Sequence, residues 1–500
     1  MNTISTKTAS LATTCGASSA AAVMASAAGT GKSAMVIRCW RGSGSLTDRD
    51  ATMVMTTPSS ATVRGCPVAL VRTKRTSSER PSAAVVRVAI RSRSKPGSEP
   101  ITQLRARSYR TVIPVTASLS RTPHGYPNRV PATKLVFDIV TAPTRAKLAD
   151  GRDLLFFSLP GHRPAPVEDR RSLPPRTTEQ SQLRFDRTTG QWVIVAALRQ
   201  DRTYKPPPDA CPLCPGPTGL TSEVPAPDYD VVVFENRFPS LSGAATPLPD
   251  PGDADGFVST PAPGRCEVIC FSADHTGSFA ALTPAHARLV VDAWRHRTAD
   301  LMAAPGVEQV FCFENRGEEI GVTLTHPHGQ IYGYPYLTPR TVAMLEQARA
   351  HRNKHGGNLF GDLLAREVAD GGRIVARNEV FTAFVPFAAR WPVEVHIYPN
   401  RFVPNVIGLD EDELDGFVAI YLDVLRRFDR MYSTPLPYIS ALHQYSGAGV
   451  QADGYFHVEL MSIRRSASKL KYLAASESAM DAFIGDVTPE SVAQRLRELQ

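Results

Sequence analysis

Apolar and polar positions fall into regular patterns only from about Lys134 onward. Phe185–Val195 reads as two short strands about a Thr-Gly turn. Tyr229–Phe234 and Cys266–Phe271 are apolar runs of strand length. Thr283 followed by Pro284 marks a helix start, and Leu289, Val290, Trp294 and Leu301 then fall near one helical face. Phe381–Pro386 and Val393–Tyr398 read as further strands. Asp410, with Glu413 three residues on, has the form of a capping box. Leu414, Phe417, Val418, Tyr421, Leu425 and Phe428 follow at the spacing of an amphipathic helix. Each half thus runs strand, strand, helix, then a His-bearing strand. This degenerate repeat predicts an α+β fold, with two halves (131–340 and 341–500) in a mostly antiparallel sheet flanked by helices.

Residues 1–130 mix Ser, Thr, Ala, Arg and Pro without periodicity, and a disordered extension is expected there. Charge sharpens this division. The first 130 residues hold 19 Lys and Arg against 4 Asp and Glu, whereas the rest hold 37 against 44. The net charge of +8 therefore belongs to the extension, and no specific nucleic-acid partner is expected for the body. No run of about 18 apolar residues suggests a membrane span, and the N-terminus lacks the compact apolar stretch of a signal peptide. A cytoplasmic protein is expected. The eight cysteines do not form a disulfide framework, but Cys211 and Cys214 make a C-x-x-C that suits a metal or redox site.

The densest chemistry lies in Thr325-His-Pro-His-Gly-Gln-Ile-Tyr332. In a strand, His326, His328 and Gln330 would share one face, a poor arrangement for a core. The preceding Phe313–Gly321 carries two glycines and reads either as a turn or as a loop whose N–H groups approach phosphate. His275 and His326 are plausible partners of Cys211 and Cys214 around zinc. A second polar strand, Tyr455–Met461, aligns His457 and Glu459 with His443 upstream. Either a second metal site or a hydrogen-bonded cluster would account for it.

Taken together, Cys211-Pro-Leu-Cys214, Val233–Phe238, Val268–His275, Phe313–Gly317 and His326–Gln330 resemble the galactose-1-phosphate uridylyltransferase family of the histidine-triad superfamily. The resemblance covers roughly residues 180–490, and Ser462–Leu473 looks like its actinobacterial branch. It implies two histidine-triad-like halves and ping-pong transfer of UMP from UDP-glucose to galactose 1-phosphate, as in galactose metabolism. His328 would be the nucleophile, with Gln330 donating to phosphoryl oxygens. Asn315, Gly321 and Thr323 would line the diphosphate, Asn236 would lie on the uridine side, and Arg199 and Arg202 would approach the sugar phosphate across a homodimer interface. Lys471 and Glu477 match residues near the hexose. Cys211, Cys214, His275 and His326 match the ligands of a zinc that orders the site. Some relatives bind iron through three histidines and a glutamate. Here Glu459 replaces one histidine, and Met344 stands where that glutamate is expected, with Glu346 two residues on, so no firmly bound iron is expected. Two rival readings are a related nucleotidyltransferase or phosphorylase acting on ADP-sugars or dinucleoside polyphosphates, and a non-catalytic nucleotide-binding protein.

Overall fold

The apolar runs become strands of one eleven-stranded sheet. A computed structural model describes residues 142–499, apart from 175–180, 202–203, 244–247, 251–255, 446 and 448, together with four strands nearer the N-terminus. In chain order the sheet holds β1 (Thr144–Lys147), β2 (Asp153–Phe157), β3 (Val231–Glu235), β4 (Arg265–Cys270), β5 (Gln309–Arg316) and β6 (His328–Tyr334). There follow β7 (Ile374–Arg377), β8 (Phe381–Phe384), β9 (Val393–Pro399), β10 (Tyr438–His443) and β11 (His457–Ser462). Their order across the sheet is β7-β8-β9-β11-β10-β5-β6-β4-β3-β2-β1, and every pairing is antiparallel.

The repeat is visible in this order. β3, β4, helix α1 (Pro284–Met302), β5 and β6 recur as β8, β9, a helix at Glu411–Arg430, β10 and β11. The halves meet where β5 pairs with β10, Glu314 opposite Ser440. The two repeat helices pack together over one face of the sheet, around Phe279, Trp294 and Tyr421. Both caps follow the sequence reading. Thr283 accepts from the His286 N–H, and Asp410 and Glu413 form the full capping box. All six apolar positions expected on the second helix are buried.

The opposite face is covered differently in each half. Over β2, β3 and β4 lies the Cys211–Cys214 segment, with Leu213 among Phe156, Phe234 and Val268. Over β8 and β9 lie α2 (Pro339–His355) and α3 (Leu359–Asp370), through Ala348, Phe360 and Leu364. Neither helix was evident in the sequence. In α2 only Thr341, Leu345 and Ala348 are buried, a stripe too thin to stand out from a polar helix. β1 and β2 were likewise not anticipated.

Two local expectations need correction. Phe313–Arg316 ends strand β5, and the loop begins only at Gly317, with φ of +104°. Strand β6 begins at His328, so His326 is not in register with His328 and Gln330 on one strand face.

Ala132–Gln500 form one compact unit. In the separate unit Met1–Pro131, strands Ala12–Cys15, Ser18–Ser26, Ser33–Cys39 and Met53–Thr56 pair antiparallel in sequence order. The unfolded extension expected there otherwise falls outside the described residues. Among the described residues, no helix is long and apolar enough to cross a membrane.

Candidate active site and metal centre

Strand β6 lies between β4 and β5, so its first residues emerge at the middle of the first half. Gly329 is required there, because a Cβ would stand 2.8 Å from the Phe271 ring and from the Phe313 carbonyl. His328 and Gln330, on the same strand face, both line a cavity of about 350 Å³ with Asn236, Phe238 and Thr323. A second cavity of about 210 Å³ lies beyond His328, lined by Asn315, Gly317 and Thr325. His328 borders both.

The His328 ring is held in one tautomer. Its Nδ1–H donates to the His326 carbonyl at 2.7 Å, which leaves the Nε2 lone pair available. Burial lowers its pKa, and the hydrogen bond to His326 opposes that only in part, so the neutral, nucleophilic form is favoured.

His326 turns the other way, to the four-residue group Cys211, Cys214, His275 and His326, whose donor atoms all lie within 4.8 Å of one another. Cys214 Sγ is 3.3 Å from His275 Nδ1 and 3.5 Å from His326 Nδ1. Donors sharing one tetrahedral zinc stand roughly 3.3–3.8 Å apart, so the group fits such an ion. The far sides of both imidazoles are also occupied. His326 Nε2 meets the Ser272 carbonyl and the Tyr229 hydroxyl, each at 2.8 Å, and His275 Nε2 meets Thr325 Oγ1 at 3.2 Å. Outer partners of this kind fix ligand orientation. Burial and the neighbouring Cys211 raise the Cys214 thiol to about 12, and a bound cation would reverse that shift.

The remaining expected residues divide. Arg199, on a short helical turn at Ala197–Asp201, donates to the Phe238 carbonyl and Ser240 Oγ at 3.3 and 3.0 Å and lines the larger cavity of its own chain. Arg202 lies outside the described residues. Gly321, with φ of +89°, closes the turn Glu318–Ile320 that leads to Thr323. Lys471 and Glu477 are not brought to either cavity. They are buried against each other, Nζ to Oε1 at 3.2 Å, so each satisfies the other's charge.

The C-terminal half repeats the local geometry with different chemistry. His457 opens β11 as His328 opens β6, and its Nδ1–H donates to the Tyr455 carbonyl at 2.7 Å. His443, His457 and Glu459 form a compact group. Arg340 Nη2, however, donates to both Glu459 oxygens at 2.9 and 2.7 Å, and His396 stands 3.7 Å from the carboxylate. Desolvation is outweighed by the histidines, and Glu459 is held well below the usual carboxylate range. Glu346 is exposed and lines a different groove, and Met344 is half-buried against the apolar cluster of Ala348, Phe360 and Leu364. This donor set is therefore a charge-paired polar cluster that does not fit an iron site without opening the Arg340 pair.

Sequence reasoning missed Tyr229, Glu314 and Tyr332. Folding alone brings the Tyr229 hydroxyl to His326 Nε2 and the Tyr332 hydroxyl to Gln330, whereas the Glu314 carboxyl turns to the other face of β5 and meets the Tyr438 hydroxyl.

Comparison with known proteins agrees with this geometry. Residues 172–338 match the model of the galactose-1-phosphate uridyl transferase N-terminal domain, and residues 344–500 that of its C-terminal domain. The galactose-1-phosphate uridylyltransferase of Streptomyces lividans is 45% identical over 367 residues, covering 71% of this chain and 97% of that relative. That of Thermotoga maritima is 35% identical over 321 residues, covering 64% and 98%. A solved uridylyltransferase structure is 30% identical, covers 64% of this chain and 98% of its own, and superposes with a TM-score of 0.57. With both domain models matched in order across the sheet that carries His328, the chain belongs to the galactose-1-phosphate uridyl transferase family.

Proposed function

We propose that the chain transfers UMP from UDP-glucose to galactose 1-phosphate through a uridylyl intermediate on His328. It is a nucleotidyltransferase by family. The observation that carries the residue assignment is the 2.7 Å bond from His328 Nδ1–H to the His326 carbonyl, which presents Nε2 as the nucleophile.

Nε2 forms a bond to the α-phosphorus of UDP-glucose, and the bond to the bridging oxygen breaks. The electron pair leaves with glucose 1-phosphate. An oxygen of galactose 1-phosphate then bonds to the same phosphorus, and the pair of the broken N–P bond returns to imidazole. Both leaving groups are stable without a proton, so no acid is needed and positioning dominates. Gln330 suits this, since its amide donates to phosphoryl oxygens but cannot protonate a leaving group. Asn236 and Thr323 line the nucleotide side, while Asn315 and the Gly317–Gly321 turn line the side beyond His328. Arg199 serves a sugar phosphate.

Cys211, Cys214, His275 and His326 are the zinc ligands in this reading. Bound there, zinc would cross-link the Cys211–Cys214 segment to the start of β6 and so fix the His326 carbonyl that orients His328. A homodimer and a cytoplasmic location belong to the same reading, supported by the family resemblance.

Intact-mass measurement after mixing with UDP-glucose alone tests the proposal. A UMP-sized gain is expected on the wild type and not on His328→Gly. A gain from ADP-glucose only would reassign the nucleotide, and none from either would refute the covalent mechanism.

A further inference from the structure

The Gln330 amide has two ends of nearly identical shape and opposite chemistry. Only the N–H end stabilises an anionic phosphoryl oxygen, and packing alone does not choose between them. Tyr332, two residues on and on the same strand face, donates its hydroxyl to Gln330 Oε1 at 3.1 Å.

The phenol is itself fixed. Its ring is nearly buried, edge-on to Phe313 at 5.2 Å and packed with Leu183, Leu241 and Cys266. The Arg199 guanidinium and the Ser240 hydroxyl lie near its oxygen, where both act against the effect of burial. Arg199 itself is held by donating to Ser240 Oγ at 3.0 Å. A guanidinium can only donate and so repels the phenol proton, which agrees with that proton pointing to Gln330. The Gln330 atom facing Tyr332 must then be the carbonyl oxygen. Burial raises the phenol to about 12, so it remains a donor at working pH.

We infer that Tyr332 is a positioning residue for uridylyl transfer: its hydroxyl, on a ring fixed by packing, locks the Gln330 amide with its N–H end toward the phosphoryl group at His328. This rests on the reading of Gln330 as the phosphoryl donor. Neither the strand pattern nor the local motif distinguishes Tyr332 from a core aromatic. The role follows from the bond of the Tyr332 hydroxyl to Gln330 Oε1, whose amide borders the same cavity as His328.

A two-by-two set tests it: wild type, Tyr332→Phe, Gln330→Ala and the double variant. The readout is the single-turnover rate of UMP-adduct formation from UDP-glucose, with steady-state kcat and KM. Tyr332→Phe removes only the hydroxyl. It is expected to slow adduct formation about 5- to 10-fold, the scale of one neutral hydrogen bond, with KM for UDP-glucose nearly unchanged. Gln330→Ala is expected to slow it about 100- to 1,000-fold, and Tyr332→Phe should then add nothing. Misfolding would lower the adduct amplitude and leave the rate constant of the active fraction intact, so the two effects separate. If Gln330→Ala leaves the rate unchanged, the Gln330 assignment itself fails. If Gln330→Ala slows the rate but Tyr332→Phe does not, or slows it equally in both backgrounds, Tyr332 does not act through Gln330 and the inference is overturned.

Discussion

Glu314 shows how strongly one position in this sheet is perturbed. It sits on the helix-covered face of β5, fully within the protein, and the Tyr438 hydroxyl donates to its Oε2 at 3.0 Å. Burial raises its pKa from 4.5 to about 7, and the Tyr438 bond and Arg316 offset this only in part. A carboxyl raised in the folded state favours folding fully below its unfolded pKa and loses that contribution as pH rises through the folded pKa. The affected window is therefore pH 4.5 to about 7. Glu314→Gln keeps an acceptor for Tyr438 but cannot ionise. Its stability relative to wild type should improve between pH 5 and pH 8 by about 1–3 kcal/mol, measured by urea unfolding at both values. Parallel pH profiles for the two proteins would falsify the burial argument. His328 and Gln330 were legible as residues in the sequence because polar groups beside Pro and Gly have no role in a core strand. Glu314 and Tyr332 were not, because nothing in an isolated Glu or Tyr says which neighbour its polar atom will meet.

At the scale of elements, the two repeat helices were legible from their N-terminal caps and apolar faces. Each has a side-chain cap before its first turn, and the second also has an apolar stripe that matches its helical period. That second helix carries a direct test. Asp410→Ala removes the acceptor for the Glu413 N–H at 2.9 Å and leaves the reciprocal bond, from the residue-410 backbone N–H to Glu413 Oε2, in place. A loss of about 1 kcal/mol is expected in chemical unfolding, with Asp410→Asn recovering most of it. Equal losses in both variants would mean that charge near Glu411 and Arg288, and not the cap, holds this end. The helices α2 and α3 escaped notice for the opposite reason. They bury few side chains, so their apolar signal is thin, although Asn358 caps α3 by accepting from the Phe360 and Gly361 N–H groups. Strand β5 was misread as a loop from Phe313 because Glu, Asn and Arg are poor strand formers in isolation. Pairing on both edges, with β6 and β10, overrides that preference.

For the whole molecule, everything that forms the candidate site comes from residues beyond 150, and the family match begins at residue 172. The charge division places the basic excess before that point. A chain lacking residues 1–130 should therefore keep its UMP-transfer rate within about twofold, within ordinary assay scatter for a change that touches no site residue. A large loss, with the body still folded by circular dichroism, would assign the N-terminal segment a part in catalysis. The sequence by itself determined the α+β class, the repeated order of elements, the two capped helices and the residues that are candidates for nucleophile and metal ligands. These depend on local periodicity, cap chemistry and motif spacing, all written in neighbouring residues. Only the tertiary structure decided that His326 leaves the strand to join Cys214 and His275, that Lys471 and Glu477 pair with each other away from the cavity, and that Arg340 takes both oxygens of Glu459. These depend on which surfaces meet when the two halves close one sheet, and a buried charge takes whichever partner that closure brings within reach.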